Sequence, residues 1–172
     1  MTSVQMHLAL THVPVILFLT GLIMLIVALI RKNNATIKTT SYLLMLIAGI
    51  TSIPVFFTGE GAEEAIENLP GVSESIIENH EKWAQITIIS ISLSGLVALA
   101  ALIFNRFEKG IRIFKPMLLI SGLITSSLLV QTAHLGGQIR HTEIRNSLSK
   151  QLPEQTGGSG TATEKNEEKE TD

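Results

Sequence analysis

Five histidines, seven glutamates between residues 60 and 81 and no cysteine bound the chemistry open to this chain of 172 residues. Without a thiol there can be no disulfide, no iron–sulfur cluster, no thiolate ligand and no covalently attached c-type heme. A bound metal would have to be held by imidazole, carboxylate or backbone oxygen. The imidazoles are His7, His12, His80, His134 and His141, and the nearby carboxylates are Glu60, Glu63, Glu64, Glu67, Glu74, Glu78 and Glu81. Imidazole serves as a metal ligand, a heme ligand or a proton-transfer group. The chain shows no nucleophile–base pair, no glycine-rich phosphate loop and no nucleotide motif, so independent catalysis is not expected. Its basic residues form short clusters and no extended stripe, which argues against nucleic acid as a partner.

These groups need a scaffold, and composition points to a lipid-embedded one. Apolar residues make up 45% of the chain and charged residues only 16%, well below the roughly one quarter usual in soluble domains. Four uncharged stretches stand out: Val13–Ile30, Thr39–Thr58, Trp83–Asn105 and Pro116–Ile139. Each is long enough to cross a ~30 Å hydrocarbon core as a helix. The first is no signal peptide, because Arg31 and Lys32 flank its far side and no basic segment precedes it. The first connection carries Arg31, Lys32 and Lys38, and the third carries Arg106, Lys109, Arg112 and Lys115 against Glu108 alone. The second holds the seven glutamates and one lysine. Lys/Arg-rich short loops stay cytoplasmic, so both termini and the second connection are expected outside. Trp83 falls where the third span would enter the outer interface.

The expected fold is therefore all-α: an integral membrane four-helix bundle, N-out and C-out. Residues 1–145 form the bundle and residues 146–172 a disordered polar outer tail rich in Gly, Ser, Thr and Glu. Pro116 fits the first turn of the fourth helix and Pro54 lies inside the second span. No internal repeat is apparent. Small residues in the third span (Ser90, Ser92, Ser94, Gly95) and fourth (Ser121, Gly122, Ser126, Ser127) favour close packing.

This topology gathers all five histidines near the outer face. Helical register places His80 on one face with Ile76, Ile77, Ala84 and Thr87, away from Glu74, Glu78, Glu81 and Gln85. A helix starting near Ser75, with Glu78 completing a capping box, would aim His80 at the bundle. His134 shares a polar stripe with Ser127, Gln131, Gln138 and His141, which should face protein or water. His7 and His12 lie about 140° apart on a wheel, so they serve different partners unless the segment before Pro14 is not helical. Glu60, Glu63, Glu64 and Glu67 follow an i, i+3, i+4, i+7 pattern opposite Ala62, Ala65, Ile66 and Leu69. That spacing predicts an amphipathic helix lying at the outer interface between spans two and three.

The segment His7-Leu8-Ala9-Leu10-Thr11-His12-Val13-Pro14 resembles the opening of an uncharacterised bacterial family of four-helix membrane proteins. That family carries a domain of unknown function and begins with a paired-histidine-and-proline motif. The likeness continues through Thr58–Glu64, Glu78-Asn79-His80-Glu81 and Leu135–Glu143, which ends in the pattern GGxIRHxE. The proline that often follows the first histidine is Leu8 here. The resemblance implies the bacterial inner (cytoplasmic) membrane, multi-pass, with both termini periplasmic, and a layout similar to b-type cytochromes.

Three functions compete. The leading one is a b-type heme protein moving electrons at the outer face, to or from a quinone, a cytochrome or another membrane-complex subunit. His12 and His80 would be the axial pair, with His141, His134 and His7 as further ligands and Arg140 for a propionate. The second is a non-heme zinc, copper or iron site built from His80 and His141 with Glu60 or Glu64, and Glu81 orienting an imidazole. The third is an accessory subunit without a cofactor. Topology has its own test. A cysteine at Leu69 should react with a membrane-impermeant thiol reagent in intact cells, whereas a cysteine at Lys109 should react only after lysis. The reverse pattern would invert the orientation.

Overall fold

The first two helices begin where a side chain can absorb the free N–H groups of a first turn. Thr2 caps the first through a reciprocal box: its hydroxyl accepts from Gln5 N at 3.3 Å, and the Gln5 amide oxygen accepts from Thr2 N at 3.2 Å. Asn34 caps the second, its Oδ1 accepting from Thr36 N and Ile37 N at 3.1 and 3.2 Å. At the third, the Ser73 carbonyl receives Ile76 N and Ile77 N, so that helix starts from Ser73 and not from the Ser75 box.

The computed structural model describes residues 2–31, 34–104 and 111–140. Within them the chain is all helical: α1 (Ser3–Ile30), α2 (Ala35–Glu64), α3 (Glu74–Phe104) and α4 (Ile111–Arg140). All four are long and apolar enough to cross a membrane. At 28–31 residues they reach about 42–46 Å, longer than the uncharged stretches alone. His141, the side chain of Arg140 and the 146–172 tail lie outside the described residues.

Three local readings change. First, α1 starts ten residues before Val13 and runs through Pro14, so His7 and His12 do lie on different faces of one helix. Second, no separate amphipathic helix follows span two. α2 continues through Pro54 and Gly59 to Glu64, and only turns link it to α3. Ser and Thr hydroxyls bond the backbone around the proline, Thr51 to Ile47 O at 2.9 Å and Ser52 to Gly49 O at 2.8 Å. Gly71, at φ 83°, makes the turn back toward α3. Third, α4 begins at Ile111, so Pro116 lies past its first turn.

The helices are arranged in a ring in chain order. α1 packs on α2, α2 on α3 and α3 on α4, while the α1–α4 seam is the thinnest. Among the described residues the backbones of the diagonal pairs α1–α3 and α2–α4 do not approach within 8 Å, and side chains such as Met45 reach across, to Gly122. The start of α1, the end of α2, the start of α3 and the end of α4 share one end of the bundle, termed the upper end. The outward faces carry Ile16, Ile23, Ile47, Ile50, Ile89 and Leu96, a surface suited to lipid.

The core lies around the middle and lower levels, with Phe18, Leu25, Tyr42, Met45, Ile91 and Leu118 buried. At Gly49 and Gly95, α2 and α3 touch backbone to backbone. A Cβ on Gly49 would stand 3.3 Å from Gly95 Cα, and one on Gly95 would stand 3.4 Å from Gly49 Cα. On the other side of α3, Thr125 of α4 lies 2.7 Å from Ser90 Oγ and 3.1 Å from Ser94 Oγ, and Thr132 lies 2.8 Å from Thr87 Oγ1. Small residues and hydroxyls thus fasten α3 to both neighbours, by dispersion on one side and hydrogen bonds on the other. Gly95→Val should lower stability by about 1–3 kcal/mol, because rigid backbone cannot yield to the new side chain. Gly137→Ala, whose methyl meets nothing within 4 Å, should not. Thermal unfolding in detergent would separate the two.

Candidate functional site

On α1 the inward stripe passes through His7, Thr11, Pro14 and Phe18, whereas His12 points outward. His12 is exposed and donates its Nδ1 proton to Leu8 O of its own helix at 2.8 Å. On α3 the inward stripe passes through Ile77, His80, Ala84 and Thr87, as the helical register implied. These stripes face a cavity of about 450 Å³ at the upper end of the bundle, walled by all four helices. Its wall is mainly apolar, with Phe56, Ile77, Ile88, Ile91 and Leu129.

His7 and His80 line this cavity from the diagonal helices α1 and α3, and the same device holds each ring. His7 Nδ1 lies 3.1 Å from Val55 O on α2 and 3.3 Å from Thr58 Oγ1. His80 Nδ1 lies 3.0 Å from Thr132 O on α4. A carbonyl can only accept, so Nδ1 carries the proton in both rings, and in neutral imidazole Nε2 keeps its lone pair. One helical turn beyond each accepting carbonyl stands a glycine. A Cβ on Gly59 would meet His7 Cε1 at 3.4 Å, and one on Gly136 would meet His80 Cε1 at 3.1 Å. The His80 ring therefore lies in a notch that a Cβ at position 136 would crowd, whereas a Cβ at position 59 would make ordinary contact with the His7 ring. The hairpins α1–α2 and α3–α4 repeat this carbonyl-and-glycine anchor although their sequences show no repeat.

The acidic residues separate once α2 is continuous. Glu60 and Glu63 in its last turns and Glu81 on α3 line the cavity, while Glu64 is exposed and does not. Glu81 does not orient His80. It accepts from Gln85 Nε2 at 3.1 Å, and the His80 proton goes to a backbone carbonyl. Among the described residues no three His, Asp or Glu side chains come close enough to share one metal ion. His134 is exposed on the outward face of α4, its Nε2 accepting from Gln138 Nε2 at 2.7 Å, and it takes no part in the cavity. The structure thus brings together His7, His80, Glu60 and Glu81 of the expected residues, and sets His12, His134 and Glu64 apart.

Sequence reasoning passed over Thr132, the Val55 carbonyl and Glu63. Backbone carbonyls leave no residue signature. The precedence of His7 over His12 did leave one: spacings of four and three lead from His7 through Thr11, Pro14 and Phe18 to Leu25, the buried line of α1. Nitrogen NMR of labelled histidine should report the Nδ1–H tautomer for both His7 and His80. Gly136→Val should shift the His80 signals and leave His7 unchanged. An Nε2–H tautomer at either ring would contradict the anchor.

No protein-family model, no curated protein and no solved structure matches this chain.

Proposed function

We propose that the chain is a multi-pass membrane protein that holds a b-type heme between His7 and His80 and carries electrons at the outer face. The carrying observation is the pair of imidazoles on diagonal helices, facing one apolar cavity with both Nδ1 protons donated to helix carbonyls. Such a donor set suits heme iron. An imidazole whose Nδ1–H is bonded presents a fixed Nε2 lone pair, and the apolar wall suits a macrocycle. When bound, heme supplies a one-electron couple. The chain's own part is to fix the two rings by the Val55 and Thr132 carbonyls, give the cavity an apolar wall with Ile88 and Leu129, and place Glu60 and Glu81 at its edge.

The residues that would hold the group in this reading are His7 and His80, because His12 faces away from the cavity. Arg140 closes α4 directly after Ile139, a residue of the cavity wall, and stays the candidate cation for a propionate. Orientation rests on the charge bias of the connections, with the basic ones inside. The family resemblance agrees with a bacterial inner-membrane location. A non-heme zinc, copper or iron site would need carboxylates to converge on the rings, and the described side chains do not converge in that way.

Protein purified in mild detergent from cells supplied with heme precursor should show a Soret band and sharp α and β bands on reduction. His7→Ala and His80→Ala should each abolish the six-coordinate spectrum, whereas His12→Ala and His134→Ala should leave it intact. A colourless, iron-free protein would sink the heme reading. Stoichiometric zinc or copper in that sample would support a His/Glu site, and no metal would support a cofactor-free subunit of a membrane complex.

A further inference from the structure

The cavity does not close at the bundle surface. Of the residues that line it, Phe56, Phe57 and Glu60 on α2 and Glu81 on α3 are themselves exposed, and Ala133 on α4 is the one other. A side chain that both lines a cavity and meets the exterior marks where the two join, so the main opening lies between α2 and α3. Its origin is the contact at Gly49 and Gly95. The two helices touch there, and Phe56 and Ile88, each seven residues higher on its helix, already belong to the cavity wall.

Depth decides what can reach this opening. Phe56 and Ile88 stand about 10 Å above the glycine contact, and Trp83 about 7 Å higher again. With Trp83 at the membrane interface, the lower part of the opening is apolar and at hydrocarbon depth. Glu60, Glu63 and Glu81 lie within about 3 Å of the Trp83 level and so form its upper edge.

The polar groups along that edge accept hydrogen bonds, because ionised carboxylates have no proton to give. Deeper in, Thr11 and Ser52 donate to carbonyls of their own helices at 2.9 and 2.8 Å, and the Thr87 and Thr132 hydroxyls bond each other. The one lysine of the second connection, Lys82, pairs with Glu78 at 3.6 Å and does not line the cavity. Such an edge repels the phosphate of a phospholipid head. It is complementary to a neutral ring that carries hydroxyl donors on an apolar tail, with the tail left in the bilayer. An oxidised quinone offers only acceptors and meets no donor there.

We propose that the opening between α2 and α3 is a binding site for a lipid-borne hydroquinone. Its ring lies against Phe56 and Ile88 and a hydroxyl donates to Glu63, so the site holds the reduced form in preference to the quinone. The choice of a hydroquinone among hydroxyl-bearing lipids rests on the electron-transfer reading above, whereas the opening and its demand for a donor do not.

With no native cysteine, single introduced cysteines report occupancy. Ala84→Cys, in the opening, and Ile89→Cys, at a 62% exposed position facing lipid, are alkylated by a membrane-permeant maleimide in lipid nanodiscs without oxygen. Decylubiquinol should slow alkylation at position 84 and leave position 89 unchanged. It should act at an about three- to tenfold lower concentration than decylubiquinone, the difference one hydrogen bond makes. Adding Glu63→Ala should remove that preference. Equal protection at both positions, equal protection by the two redox forms, no protection, or protection by dodecylammonium as strong as by decylubiquinol would overturn the proposal. Heme is read from the visible spectrum of the same sample. A colourless protein still protected at position 84 removes the heme and keeps the site, and a heme spectrum without protection does the reverse.

Discussion

The approach of α2 to α3 at Gly49 and Gly95 sets the geometry of the rest of the bundle. Backbone contact at this level holds the two central helices together at their waist, and the Thr125 hydroxyl bonded to Ser90 and Ser94 holds α4 against the other side of α3. Below the waist, Phe18, Leu25, Tyr42 and Met45 fill the space between helices. Above it the small inward residues Ala84, Thr87, Thr11 and Ser52 stand among larger ones such as Ile77, Ile88 and Leu129, and the cavity occupies the room they leave. A closed waist and an open upper end are thus two outcomes of side-chain volume along one set of helices.

The open end is not left to the helices alone. An imidazole reaches from the first helix of each hairpin to a carbonyl of the second, and a glycine one turn on lies beside the ring. The bond satisfies a polar group in an apolar surrounding and fixes the ring plane and tautomer. The two rings come from diagonal helices whose backbones stay apart, and both face the one cavity. The uninterrupted course of α2 to Glu64 matters equally. It stands Glu60 and Glu63 beside the rings, where a helix lying flat on the membrane would have spread them away.

The two polar faces of α4 divide its roles. Thr125, Thr132 and Gly136 serve the interior, by hydrogen bonds to α3 and by seating His80. Ser127, Gln131 and His134 lie on the opposite side, away from the cavity. A reading that joined His134 to the cavity layer took nearness to the same membrane face for convergence. On a helix, His134 and Gly136 are about 200° apart, so one cannot line the cavity that the other borders.

The sequence by itself determined the class of fold: four long apolar helices, the connections between them and the inward facing of His80. Uncharged runs and period-3.6 patterns are local properties, carried by a few dozen residues each. It also contained the inward line from His7 to Leu25, although Pro14 in that line made a helical start less plain. Tertiary structure decided which histidines meet, that Glu63 and not Glu64 borders the cavity, and that the carbonyls of Val55 and Thr132 hold the rings. Those outcomes depend on how each helix is rotated against its neighbours. That rotation follows from contacts such as Gly49 with Gly95, between residues 46 positions apart, which no local pattern encodes.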